Sequence, residues 1–125
     1  MNNMNAREIE FGSIIIDAEN NHVKVTFSQD GTVWMTETEI ARLFGVFPAA
    51  IRSNIRAIYK DKRMNEYRTH QITGRGDLYS LEMIAALSFR VRTMESEAFR
   101  EWLLYRPQHK MVVMQIETDE LYPVS

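Results

Sequence analysis

Cysteine is absent from the 125-residue sequence, which excludes disulfides, thiolate metal sites and thiol catalysis. Long hydrophobic runs are absent too: stretches such as Ile14-Ile15-Ile16 are far too short to span a bilayer. No basic-then-apolar leader opens the chain, and Met1–Asn5 matches no targeting pattern, so a cytoplasmic location without membrane contact is expected. Internal repeats and low-complexity linkers are missing. With 45% hydrophobic and 26% charged residues, the chain reads as a single globular domain over residues 1–125.

An excess of one charge sign is also lacking, since the net charge is −2. That balance conceals a regional split. Met1–Met35 and Pro107–Ser125 are net acidic, whereas Thr36–Arg106 holds twelve basic and nine acidic residues. Within it, Arg52, Arg56, Lys60, Lys62, Arg63, Arg68 and Arg75 face only Asp61 and Glu66 between Pro48 and Arg75. A local basic face is what phosphate contact requires; a solvated helix face is the alternative.

The basic stretch coincides with a helix-turn-helix pattern over Thr36–Ile58. Thr36 and Glu39 form a capping box, in which each side chain satisfies an orphan N–H of the other. Gly45 supplies the left-handed residue that ends the first helix. Pro48 suits the first position of the second, where its missing N–H costs nothing. Small Ala41 lies where the two helices must cross. A short Gly-containing turn between two helices is the signature of this motif, whose second helix commonly enters the DNA major groove.

At 100° per residue, Ile51, Ile55 and Ile58 form the buried stripe of the second helix, leaving Ala49, Arg52, Ser53, Arg56 and Lys60 on the opposite face. Arg52 suits a base or phosphate contact, and Arg56, Lys60, Lys62 and Arg63 suit phosphates. The leading end, Phe47-Pro48-Ala49-Ala50, has no side-chain hydrogen-bonding group. Ala49 can meet a thymine methyl there, and Phe47 can pack on sugar or wedge a base step; the reading preferred from sequence is that Phe47 closes the core instead.

Flanking elements complete the expected architecture. Val23–Phe27 and Thr32–Met35 alternate around Ser28-Gln29-Asp30-Gly31, predicting a hairpin with an Asp-Gly turn that leads into Thr36. Ile14–Ile16 adds a strand, with Asn20-Asn21 as its turn. Asp61–Tyr67 is irregular. Tyr67–Ile72 and Leu78–Ser80 flank a Gly-rich tip, Thr73–Asp77, as a wing would, placing Arg75 against a DNA backbone or minor groove. The tripeptide Arg75-Gly76-Asp77 reads as coincidence rather than as an adhesion motif. Ser80 caps a helix carrying Met83, Ile84, Leu87 and Val91, and Thr93 or Ser96 opens the last helix, with Ala98, Phe99, Trp102 and Leu103 inward. Arg90, Arg92 and Arg100 lie outside the apolar set and extend the basic surface. Pro107 stops the helix, and Met111–Ile116 reads as a terminal strand, paired either within the chain against Val23–Phe27 or across a homodimer. The fold class is therefore α+β: a winged helix-turn-helix-like domain with an N-terminal hairpin, two further helices and a terminal strand.

His22, His70 and His109 are scattered, with no carboxylate or nucleophile at motif spacing, and Glu95 and Glu97 do not share a helix face. No catalytic site, metal, cofactor or small-molecule substrate is expected.

Phe27-Ser28-Gln29-Asp30-Gly31-Thr32-Val33-Trp34-Met35-Thr36, with Ile40-Ala41-x-Leu43-Phe44-Gly45-Val46, resembles the opening of the bacterial RhuM family. Tyr79-Ser80-Leu81, Phe89-Arg90-Val91-Arg92 and Phe99-Arg100-x-Trp102 resemble its later pattern. The likeness spans about residues 27–104. It implies a double-stranded-DNA-binding regulator of a kind found on mobile elements and virulence loci. Family members usually carry Ser, Thr or Arg after the Gly-Val, where this chain has Phe47-Pro48-Ala49, and they are commonly longer, so the chain resembles the N-terminal module alone. An interaction module that keeps the fold without reading DNA sequence is the alternative function.

Overall fold

The computed structural model describes residues 6–105. Pro107, His109 and the expected strand Met111–Ile116 lie outside the described residues. The chain is mixed α+β: helix α1 (Ala6–Phe11), strands β1 (Ser13–Asp17), β2 (His22–Thr26) and β3 (Trp34–Thr36), helices α2 (Glu37–Phe44), α3 (Pro48–Lys60) and α4 (Glu66–Thr69), strands β4 (His70–Thr73) and β5 (Gly76–Ser80), then helices α5 (Leu81–Ser88) and α6 (Met94–Tyr105). Among the described residues, no helix is long and apolar enough to cross a membrane.

The strands form two small antiparallel sheets, β1-β2 and β3-β5-β4. This corrects the hairpin expected around Asp30-Gly31. The partner of β2 is β1, with Ile14 opposite Val25 and Ile16 opposite Val23, so the Asn20-Asn21 turn is the one that joins a hairpin. Strand β3 instead pairs with distant β5, Met35 opposite Tyr79. Asp30 closes a loop between the sheets, accepting hydrogen bonds from Ser28 Oγ and from Thr32 Oγ1, the latter at 2.7 Å. Those hydroxyls hold its carboxyl below the usual carboxylate range. An Asp-Gly pair favours left-handed backbone, and Gly31 adopts it (φ 82°), but the flanking strands here leave for different sheets.

Helix α2 is bounded as its sequence dictates. Thr36 Oγ1 accepts from Glu39 N–H at 3.1 Å, and Glu39 accepts from Thr36 N–H at 2.9 Å. Gly45 ends the helix in the left-handed region at φ 70°, and Pro48 opens α3 at its first position. Glu39 also receives Arg7 of α1, at 2.7 Å, and the same guanidinium donates to the carbonyls of Trp34 and Gly12. Burial acts to raise the Glu39 pKa, but the bonds from Arg7 and Thr36 outweigh it and leave the carboxyl below its ordinary value. Helix α1 had no sequence signal; it is held by this long-range ion pair, by buried Phe11 and by the Gln29 N–H donating to the Ile9 carbonyl at 3.0 Å.

One core joins α2, α3, α5 and α6. Phe44, Phe99, Ile40, Ile51, Ile84 and Leu87 are fully buried there, and Phe44 packs edge-tilted on Phe99 at 5.9 Å between ring centroids. Thr93 caps α6, exchanging bonds with Ser96 at 3.0 Å each way. Helix α5 stops at Ser88, so Val91 is buried from the connection and not from the helix.

Two more expectations are corrected. Tyr67 and Arg68 were expected in a strand but form the single turn of α4, because the Asn65 side chain accepts from Arg68 N–H at 3.2 Å. Arg100 does not extend a basic surface: it donates to the carbonyls of Ser88 and Val91 and to Ser96 Oγ, bracing the α5–α6 connection.

Candidate nucleic-acid interface

Helix α3 packs Ile51, Ile55 and Ile58 against the core. Its outer face exposes Ala49, Arg52, Ser53, Arg56 and Lys60, with Lys62 and Arg63 exposed in the turn beyond. Thirteen residues at 1.5 Å each make the helix about 20 Å long, and its cations concentrate in the C-terminal two-thirds. Lys62 adopts a left-handed backbone, φ 58°, which breaks the helix and redirects the chain before Arg63.

The cations are not equivalent. Arg52 Nε donates to Glu37 at 3.1 Å, with about half of the arginine side chain exposed. Among the described residues no carboxylate lies within ion-pair reach of Arg56, Lys60, Lys62 or Arg63. Arg90 reaches the flank of α3, its Nε donating to Asn54 Oδ1 at 2.8 Å. Asn54 in turn donates to the carbonyl of Ala50 at 2.9 Å, so the one amide on this helix has both ends occupied. The sequence placed Arg90 on a basic surface; its tie to α3 is a contact across 36 residues with no local signal.

The β4–β5 hairpin stands beside α3. Between them is a cleft of about 390 Å³ lined by Arg52, Arg56, Tyr59 and Tyr79, but also by Glu37, Glu66 and Asp77. Burial, with the nearby charges of Glu37 and Asp77, pushes the Tyr79 phenol up to about 12, so it stays neutral. His70 stacks on Tyr79 at 4.8 Å and lies 3.5 Å from both Glu66 and Asp77, tying α4 to the hairpin. The cleft thus sets three carboxylates against the guanidiniums of Arg52 and Arg56, whereas Lys60, Lys62 and Arg63 lie outside it.

The remaining candidates are dispersed. Arg68, on α4, pairs with Glu82 at 3.2 Å on the surface. Arg75, exposed in the hairpin turn, lies over the ring of Phe11 at 5.4 Å, and Arg7 lies 5.9 Å from the same ring. Its guanidinium thus has an aromatic partner in α1.

The structure corrects the preferred placement of Phe47. Its side chain is 83% exposed at the start of α3 and does not close the core. It occupies the N-cap without a side-chain capping bond. A phenylalanine at this point looks like a core residue by composition, but the three isoleucines one turn and more downstream already fill the seam with α2.

Among the described residues, no group of histidine and carboxylate side chains could hold a metal ion. Comparison with known proteins finds no matching family model, no matching curated protein and no matching solved structure.

Proposed function

We propose that this protein binds duplex DNA and acts as a transcriptional regulator of the RhuM-like type. In this proposal α2 and α3 form a helix-turn-helix and the β4–β5 hairpin serves as a wing. One observation carries the proposal: Arg56, Lys60, Lys62 and Arg63 are exposed along and beyond the face of α3 opposite its buried isoleucine stripe, none of them in an ion pair among the described residues, with Arg56 alone of the four bordering the acidic cleft. Unpaired cations aligned on a rigid element supply phosphate contacts at little ordering cost. The capped α2, the Gly45 turn and the RhuM-like blocks support the same reading.

The acidic cleft limits how the duplex sits. Arg52 shares its charge with Glu37, and Asp77 and Glu66 face it, so the duplex meets α3 from outside and the cations near the end of the helix grip the backbone. Exposed Phe47 favours a second reading, in which this surface docks a protein.

Fluorescence anisotropy with a labelled mixed-sequence duplex at low salt tests the proposal. The expected result is binding with a dissociation constant at or below about 1–100 μM, the range of non-specific duplex binding. Arg56→Ala should weaken it several-fold and Arg52→Ala less, because Glu37 already offsets the Arg52 charge. Glu37→Gln should strengthen it. Absence of binding to any duplex at low salt contradicts the DNA-binding role and leaves the protein-docking reading.

A further inference from the structure

We infer that Phe47, together with Ala49 and Ala50, selects duplexes that present thymine C5-methyl groups in the major groove. This rests on the duplex-binding role proposed above and adds the base chemistry that the helix reads.

The first residues of a helix held in this way are the ones that normally reach base edges. Here that turn exposes Phe47, Ala49 and Ala50, with Phe47 83% accessible. None of the three has a side-chain donor or acceptor. Of the polar side chains in the following turn, Asn54 binds the Ala50 carbonyl and Arg90, and Arg52 binds Glu37, while Ser53 is exposed beside the cations rather than in the leading turn. Arg56 begins more than two turns further on, among the backbone-gripping cations.

A base edge laid against this turn is desolvated. The polar edge groups of every base pair, thymine O4 and adenine N6 included, would lose water without gaining a side-chain partner there, which is unfavourable, and only an A·T pair offsets that loss with a methyl. The thymine methyl is the one major-groove feature that needs no hydrogen bond, and Ala and Phe are residues that meet it. Phe47 stands at the N-cap in extended backbone, ahead of Ala49 and Ala50 in the first turn, and of these Ala49 lies on the same face as Arg52, Arg56 and Lys60.

The experiment compares two duplexes of identical sequence, one A·T-rich with thymine and one with every thymine replaced by deoxyuridine, which removes only the methyl. Binding to each is measured by anisotropy for the wild-type chain and for Phe47→Ser. Serine is a good N-cap where phenylalanine makes no capping bond, so the variant should fold with an unchanged or higher melting temperature. The wild type should bind the thymine duplex about fourfold more tightly per contacted methyl, the factor that burial of a methyl-sized group is worth. Phe47→Ser should bring the ratio close to one. Equal wild-type affinity for both duplexes, or a ratio unchanged in Phe47→Ser, overturns the thymine inference while leaving duplex binding intact. Failure to bind either duplex overturns both.

Discussion

Reversing two charges on α3, with Arg56→Glu and Lys60→Glu together, should lower duplex affinity by roughly a thousandfold without unfolding the chain. Each replacement changes the local charge by two units. A unit charge near a phosphate in water is worth about 1 kcal/mol, and a loss on the order of 4 kcal/mol corresponds to about three decades. Both side chains are exposed and have no ion pair to break among the described residues, so circular dichroism and the melting temperature should stay near wild type. Anisotropy at low salt reads the loss. An affinity within about threefold of wild type would show that the outer face of α3 does not meet the duplex.

Truncating Phe44 to alanine should cost about 3–5 kcal/mol of folding stability. Phe44 is fully buried at the end of α2, against Phe99 of α6. The cavity left behind would be walled by Ile40, Ile51 and other side chains held by three helices, so it cannot collapse readily. Such a loss is a large share of the 5–15 kcal/mol that keeps a domain folded. Urea denaturation followed by circular dichroism measures it. A cost under about 1 kcal/mol would show that α2 and α6 are not packed as described. Because α3 rests on the same seam, DNA binding should decline with the folded fraction rather than through any direct contact.

The parts of this molecule that were legible in its sequence are those fixed by neighbours a few residues apart. The Thr36–Glu39 box, the Gly45 stop, Pro48 at the head of α3 and the isoleucine stripe at three- and four-residue spacing are all local, and each is found where its residues predict. The β4–β5 hairpin is also local, with Thr73 opposite Gly76. Ser80 caps α5 for the same reason, accepting from Met83 N–H.

What escaped depends on contacts between distant segments. The strand pair β3–β5 joins Met35 to Tyr79, and an Asp-Gly turn cannot reveal that its two arms belong to different sheets. Arg7 and Arg100 look like surface cations in isolation, yet each spends its guanidinium on buried carbonyls. Arg52 looks as free as Arg56 until Glu37, fifteen residues earlier, is brought beside it. Phe47 was misplaced because hydrophobicity reports a tendency to be buried and says nothing about whether the core is already full.

The most direct measurement is the slope of log binding constant against log salt concentration for a mixed duplex. In the proposed binding mode Arg56, Lys60, Lys62 and Arg63 supply four phosphate contacts, and Arg52 and Arg75 bring the number to at most six. At about −0.9 per contact neutralised, a backbone-gripping helix gives a slope of roughly −4 to −5. A slope between zero and about −1, or no binding at the lowest salt, would contradict the proposal that this chain is a DNA-binding protein.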